Sequence, residues 1–454
     1  MIAVLLMVFM PQGAGMLSQV RKRGVASLIS MNESSGRVLC PHSAGKQGFG
    51  YIQVNKRNKY FYAVIEADID PLTAPTFLYL AGGPGESSLI ATMGFAGPCT
   101  LDSASDSPLL NEFSWTKRAN SVWVDAPAPT GFSTGPVERT LNDAVANLVQ
   151  FVDEFFKKHG SLNKNVHLVG SSSSASVVAM LGTRILRIAE RKIDLKGVMM
   201  ISGVVGPSAL YQGCVKLAKE RTLLPEKDLN KMEANLEKCL KGISECNELG
   251  PGRPPLGYHC RKAAVTCESL LVDPITKTGT SVYDLRVDDG NEEDLYAFEL
   301  GDFEDFLNLE SVQEHLGVSK WWDQENEEVF EVFGQYTTYD TTHFVTELLN
   351  KGMKVLVLNG DQDYVTNSLG TLKWLSSLEG TEKYGEKLQR VPIKKLEYGE
   401  GQLLGRLWAS KYASGAKLAF IEVTEAGHCP ALNKPLGTQH VFNEFLSGEL
   451  WDRT

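Results

Sequence analysis

Residues Val169–Val178 read "VGSSSSASVV", and what flanks these four serines decides the fold. Before them stands the apolar run "NVHLV" (Asn165–Val169), the pattern of a buried strand. After them comes "ASVVAMLGTRILRIAERK", the pattern of a helix. A strand that enters a tight turn and leaves as a helix is the setting of a nucleophile elbow. The turn holds a serine above the C-terminal end of the strand, and the helix N-terminus favours developing negative charge. The usual elbow reads G-x-S-x-G. Here Gly170 supplies the first glycine and the second is missing. Serines also cap helices, and taken alone the cap is the stronger reading.

Outward from the serines, strands alternate with helices. "GFGYIQVN", "KYFYAVIEA", "PTFLYLAGGPGESS" and "SVWVDAP" read as strands, being rich in Val, Ile, Tyr and Phe between turn residues. "TLNDAVANLVQFVDEFFKKHG" reads as a helix, with Ala144, Leu148, Phe151, Val152 and Phe155 at three- and four-residue spacing and Gly160 as its stop. "KGVMMISGVVG" is the next strand. The order implies an α/β fold: a mostly parallel central sheet with helices on both faces. After about Tyr211 the alternation gives way to short helices such as "EKDLNKMEANLEKCLKG" and the loop "ELGPGRPPLGYHC". It resumes at "KGMKVLVLNGDQDYV". The expected organisation is a signal segment at 1–15, a core at 16–211, an inserted cap at 212–330 and the rest of the core at 331–454.

Three further segments give the serines a chemical context. "NGDQDYVTN" (Asn359–Asn367) follows the strand "KVLVL" and offers Asp361 and Asp363 where an α/β hydrolase keeps the acid that orients its histidine. "EVTEAGHCP" (Glu422–Pro430) places His428 on a loop after another strand. Ser, Asp, His is the chain order of such hydrolases. "LYLAGGPGESS" (Leu78–Ser88) carries Gly82, Gly83 and Gly85 after an early strand, a loop able to present backbone N–H groups to an oxyanion.

The formal charge of −10 carries no basic stripe, which argues against nucleic acid as a partner. The acidic run Asp288–Asp305 reads as a solvated loop and helix start. "MIAVLLMVFMPQGAG" is a short apolar leader of the secretory kind, and no other stretch reaches the roughly 18–20 apolar residues a membrane span needs. Of eight cysteines, Cys239, Cys246, Cys260 and Cys267 crowd into one region and read as disulfide staples of the insertion. No C-x2-C pair supports zinc, and neither metal nor cofactor is expected. With the sequon Asn32-Glu33-Ser34, the composition points to a secreted, lysosomal or vacuolar lumen.

The motifs "GGPGESSL", "NEFSWTKRANSVWVDAPAPTGFS", "YDLR", "VLVLNGDQDYVTN" and "EAGHCPALNKP" together resemble the serine carboxypeptidases, from about Gly50 to Phe445. Members of that family read close to NGGPGCSSL, GESYAG, GDxDxxxN and GAGHMVPxDxP. The resemblance implies an α/β-hydrolase fold and a catalytic triad of Ser172, Asp363 and His428. It also implies an oxyanion hole from the backbone N–H groups of Gly83 and Ser173. Peptides or acyl esters would be the substrates, and a homodimer is possible, as in some members. The family reads a substrate's C-terminal carboxylate with an Asn and two Glu side chains. Those positions are Ala81, Phe95 and Ser171 here, so the family's device for recognising the C-terminal carboxylate is expected to be missing. The cysteine of GGPGC has become Glu86, which is expected to point away from the site. An esterase or acyltransferase is the first rival reading, and a catalytically inactive binding homologue the second.

Overall fold

The computed structural model describes residues 39–101, 107–188, 193–249, 257–287 and 300–453. The leader 1–15, the sequon at Asn32 and most of the acidic run lie outside the described residues.

Twelve strands are present among them: β1 (Gln47–Gln53), β2 (Lys59–Ile65), β3 (Thr76–Leu80), β4 (Cys99–Thr100), β5 (Leu109–Leu110), β6 (Asn120–Val124), β7 (Val166–Ser171), β8 (Leu195–Ile201), β9 (Lys354–Gly360), β10 (Lys394–Tyr398), β11 (Gln402–Lys411) and β12 (Lys417–Val423). Ten form one sheet in the order β1-β2-β6-β3-β7-β8-β9-β12-β11-β10, and β4 pairs with β5 apart from it. The centre, from β6 through β12, is parallel, whereas both edges are antiparallel.

The central strands are nearly continuous apolar runs because both of their faces are covered. Successive side chains point to opposite faces, and the packing follows that alternation. Leu78 and Leu80 of β3, Leu168 of β7 and Val355 and Val357 of β9 pack on one side with Leu148, Phe151, Phe155, Val178 and Leu348 from helices. Phe77 and Tyr79, Val169, and Leu356 and Leu358 pack on the other with Trp115, Trp123, Phe442, Phe445 and Trp451. The helix Leu141–Lys158 forms where its spacing places it. Its Thr140 cap accepts a hydrogen bond from the Asp143 N–H at 3.1 Å, a contribution of about 1 kcal/mol.

Between β8 and β9 the described chain is helical. The "short helices" expected there include one of 24 residues, Glu226–Leu249. Cys239–Cys267 and Cys246–Cys260 tie it to the helix Gly257–Cys267, and Cys40–Cys99 joins the segment before β1 to β4. Each bridge in the helical segment closes a loop of a size worth about 3 kcal/mol. This segment has its own core of Leu229, Met232, Ile243, Leu271, Val272 and Ile275, into which Tyr364 from the loop after β9 inserts. A second difference lies near the C-terminus. Strands β10, β11 and β12 form an antiparallel meander, where the sequence suggested continued strand–helix alternation.

Candidate active site

The loops after β3, β7, β9 and β12 converge at the C-terminal end of the parallel strands. The serine run leaves β7 and enters the helix Ser174–Arg187 without a break. Ser172 sits at the bend with φ 51°, a left-handed conformation that a non-glycine residue keeps only when its surroundings hold it there. They do so here. The Ser172 N–H donates to the Ile201 carbonyl at 2.8 Å, and its own carbonyl accepts from the N–H groups of Ala175 and Val204 at 3.1 Å. The bend also needs room. A Cβ on Gly170 would stand 2.4 Å from the Ser174 carbonyl oxygen, and one on Gly82 would stand 2.7 Å from the Ser172 Cβ.

The four serines divide in use. Ser174 donates to the Ala81 carbonyl at 2.5 Å and so ties the elbow to the glycine loop. Ser176, just beyond the run, likewise donates to the Val204 carbonyl. Ser171 and Ser172 line a cavity of about 350 Å³ together with His428. Ser173 lines an adjoining one, with Gly83, Ser172 and His428 on its wall too.

His428 is buried, and its Nδ1 lies 2.8 Å from Asp363 Oδ2. In the neutral imidazole that geometry puts the proton on Nδ1 and leaves Nε2 as the acceptor. Asp363 is itself held: its Oδ1 accepts from the Thr366 N–H at 3.0 Å and its Oδ2 from the Thr366 hydroxyl. Burial alone would push the His428 imidazole down. The charge and hydrogen bond of Asp363, joined by the charge of Glu86, outweigh burial and hold it above its ordinary value. The His428 N–H donates to the Tyr283 carbonyl at 2.8 Å, and the Tyr283 ring meets the imidazole edge-on at 5.2 Å. Asp361 faces elsewhere, accepting from Gln362 and Ala426. No hydrogen bond joins Ser172 to His428 among the described residues, and such bonds are commonly loose before substrate arrives.

Two cavities thus meet at Gly83, Ser172, Tyr283 and His428. The smaller has Val204, Leu210, Tyr211, Phe330 and Val365 on its wall, with Glu268 the acid among them. Burial raises Glu268 to about 8. The larger brings Ala81, Phe95 and Ser171 into one wall. An apolar methyl, a phenyl ring and a short hydroxyl therefore stand together there.

Glu86 corrects an expectation. It points into the larger cavity, and its backbone forms an antiparallel bridge with Glu325. The cause is backbone pairing: Ser87 N–H donates to the Gln324 carbonyl at 2.9 Å and Asn326 N–H to the Gly85 carbonyl at 3.0 Å. Glu86 and Glu325 are each raised to about 7, burial being the largest cause for both and the charge of Glu86 adding to the rise at Glu325. Glu304, from the acidic run read as solvated, also lines this cavity. Sequence reasoning gave no site role to Thr366, Tyr283 or Glu325. Tyr283 opens the motif "YDLR", and Thr366 stands three residues after an aspartate, the spacing at which a carboxylate caps the chain.

Among the described residues no group of three or more His, Cys, Asp or Glu is arranged to hold a metal ion. No described helix is long and apolar enough to cross a membrane.

Comparison with known proteins agrees with this geometry. The family profile described as serine carboxypeptidase matches residues 40–448. Carboxypeptidase Y of Schizosaccharomyces pombe is 28% identical over 441 residues, covering 90% of this chain and 42% of that protein. Carboxypeptidase Y of Komagataella phaffii is 28% identical over 417 residues, covering 89% of this chain and 76% of that one. Among solved structures, Kex1(delta)P, a prohormone-processing carboxypeptidase from Saccharomyces cerevisiae, superposes with a TM-score of 0.74. That match has 19% identity and covers 91% of this chain and 94% of the other. It places the chain in the α/β-hydrolase fold. A profile match over most of the chain, on a sheet whose loops gather Ser172, Asp363 and His428, shows that the chain belongs to the serine carboxypeptidase family.

Proposed function

We propose that the protein is a serine hydrolase that cleaves acyl compounds, peptides foremost, through a covalent acyl-enzyme. The observation that carries this reading is the 2.8 Å Asp363–His428 contact on the wall of the cavity that also holds Ser172 in its bent conformation. His428 Nε2 takes the Ser172 hydroxyl proton as Oγ attacks the acyl carbon, and Asp363 stabilises the resulting imidazolium. The tetrahedral oxyanion is met by the N–H groups of Gly83 and Ser173, the latter at the N-terminus of the helix Ser174–Arg187. Collapse expels the leaving group with the proton from His428. Water, deprotonated by the same imidazole, then adds to the acyl carbon and releases the acid and free Ser172.

Ala81, Phe95 and Ser171 give the larger cavity none of the amide and carboxyl partners with which the family reads a free C-terminal carboxylate. Each charged hydrogen bond lost costs about 1.5–3 kcal/mol. This favours a substrate range without a strict need for a free C-terminus, which keeps esters, blocked peptides and acyl transfer to an acceptor other than water in view. Three disulfides support residence in an oxidising lumen.

The test is labelling of the folded full chain with a fluorophosphonate, with Ser172→Ala as control. Labelling confined to the unsubstituted protein supports the reading. A folded protein that resists the probe would mean an inactive binding homologue.

A further inference from the structure

A cation from the segment between β8 and β9 reaches the loop after β6. The Lys320 ammonium donates to the carbonyl oxygens of Pro129, Gly131 and Ser133, the last two at 2.5 and 3.0 Å. Three acceptors use every N–H an ammonium has. The carbonyls belong to a loop wrapped on Asp125, whose carboxylate is buried. Its Oδ2 accepts from the Phe132 N–H at 2.9 Å, and its Oδ1 from the Ser87 hydroxyl at 2.7 Å and the Ser88 N–H at 2.9 Å. The packing has no slack. A Cβ on Gly131 would stand 2.2 Å from Asp125 Oδ2 and 2.8 Å from Ser87 Oγ.

Ser87 and Ser88 end the glycine loop that carries Gly83. Ser88 Oγ accepts from the Ala81 N–H at 3.1 Å and so ties the two ends of that loop together. Just beyond Lys320, the Trp322 indole N–H donates to Ser87 Oγ at 3.1 Å. Hydrogen bonds therefore lead without a break from Lys320, through the loop after β6 and Asp125, to both ends of the glycine loop. A buried carboxylate needs a positive charge near it. Lys320 is the cation whose charge acts on Asp125.

We propose that Lys320 is a positioning residue for the acyl chemistry: its charge secures the Asp125 carboxylate, which holds the glycine loop with the Gly83 N–H in place for the oxyanion. This rests on Ser172 being the nucleophile and Gly83 an oxyanion donor. A carboxylate accepts on both oxygens. A neutral carboxyl turns one oxygen into a donor and gives up at least one of the three bonds that Asp125 receives. A loop that loses such a bond misplaces Gly83, and a misplacement of about 1 Å costs about 10² in rate.

The pH dependence has a fixed sign. Burial pushes Asp125 up to about 6, against the bonds from Ser87, Phe132 and Ser88 and the charge of Lys320. Burial lowers the Lys320 ammonium, while the charges of Asp125 and Asp323 support it. Tyr51, whose hydroxyl donates to the Phe132 carbonyl at 3.0 Å, is raised by burial to about 12 and stays neutral. His428 is held above 6.5, so on the acid side the unsubstituted protein loses its base before Asp125 gains a proton. Without the Lys320 charge, Asp125 takes up its proton at higher pH and joins that loss. Lys320 is not among the charges acting on His428, so a changed profile reports Asp125.

The experiment measures fluorophosphonate labelling of Ser172 in the full chain, as kinact and KI, from pH 5 to pH 8. The unsubstituted protein is compared with Lys320→Met and Lys320→Arg. For Lys320→Met, kinact at pH 8 is expected to fall about tenfold or more with KI within about twofold, and the acid side of the profile to move up and steepen. Lys320→Arg keeps the charge but presents a planar fork where three carbonyls surround an ammonium. Its profile should match the unsubstituted protein while kinact falls about threefold. A folded Lys320→Met with unchanged kinact and profile, or with a loss in KI alone, overturns the inference and leaves the nucleophile reading intact. Should Lys320→Met not fold, an unchanged kinact in Lys320→Arg overturns it. Absence of labelling in the unsubstituted protein overturns the nucleophile reading and the inference with it.

Discussion

The two walls of the larger cavity are built differently. His428 and Ser172 stand on turns that leave the central parallel strands, and each is fixed by backbone hydrogen bonds and close packing: Ser172 through Ile201, Val204 and Gly82, His428 through Tyr283 and Asp363. The opposite wall, Ala81 to Phe95 with Asp323 to Glu325, is carried by a glycine-rich loop, a six-residue helix and an irregular segment. Ala81, Glu86 and Phe95 line the cavity from this wall with Glu325, and replacing one of them alters the cavity without breaking a strand. Under the proposed function, the chemistry anchored at the strand ends keeps its residue types, whereas positions 81, 95 and 171 carry no amide or carboxyl side chain for a free carboxylate.

The substitutions that follow probe this contrast from each side. The largest effect belongs to Asp363→Asn, which keeps the shape but favours the wrong imidazole tautomer. A fall in kcat of about 10⁴ with little change in thermal stability is expected. Next comes Gly82→Ala, whose added methyl meets the Ser172 Cβ at 2.7 Å. Displacing the nucleophile by a fraction of an ångström should cost about 10² in kcat/KM, with circular dichroism unchanged. At the recognition positions, the pair Ala81→Asn, Ser171→Glu should raise the preference for a free C-terminal carboxylate by about tenfold per recovered charged hydrogen bond, read as the kcat/KM ratio of a peptide to its amide. An unchanged ratio would mean that these positions do not contact the leaving group.

The smallest effect is on stability. Glu86 and Glu325 are raised to about 7 and Glu268 to about 8, so the fold favours their neutral forms. Their contribution is full below the unfolded carboxyl value of 4.5 and is lost as pH climbs through 7 to 8. His428, also raised, works in the same direction. Differential scanning calorimetry should find a lower Tm at pH 8 than at pH 5. Glu86→Gln should reduce that difference by about 1–3 °C.

What the sequence made legible follows the same divide. The serine elbow, an acid at Asp361 or Asp363 and His428 could be located because each follows an apolar strand run and the three come in hydrolase order; the choice of Ser172 and Asp363 rests on the resemblance to the serine carboxypeptidases. The central strands were legible because burial on both faces leaves continuous apolar runs. The β10–β12 meander was not, since strand β11 mixes exposed Gln402, Leu403 and Arg406 with buried Leu404 and Leu407. Glu86 was misplaced because its direction is set by backbone pairing with a segment more than two hundred residues away. Glu325 carried no local mark at all.

The central claim is that the acyl chemistry persists while the carboxylate reader is gone. The direct measurement is kcat/KM for one neutral peptide presented with a free C-terminal carboxylate and as its C-terminal amide, on the unsubstituted protein. Ratios within about threefold of one are predicted, since no described side chain at positions 81, 95 or 171 rewards the free acid. A preference for the free acid of about a hundredfold would contradict the account.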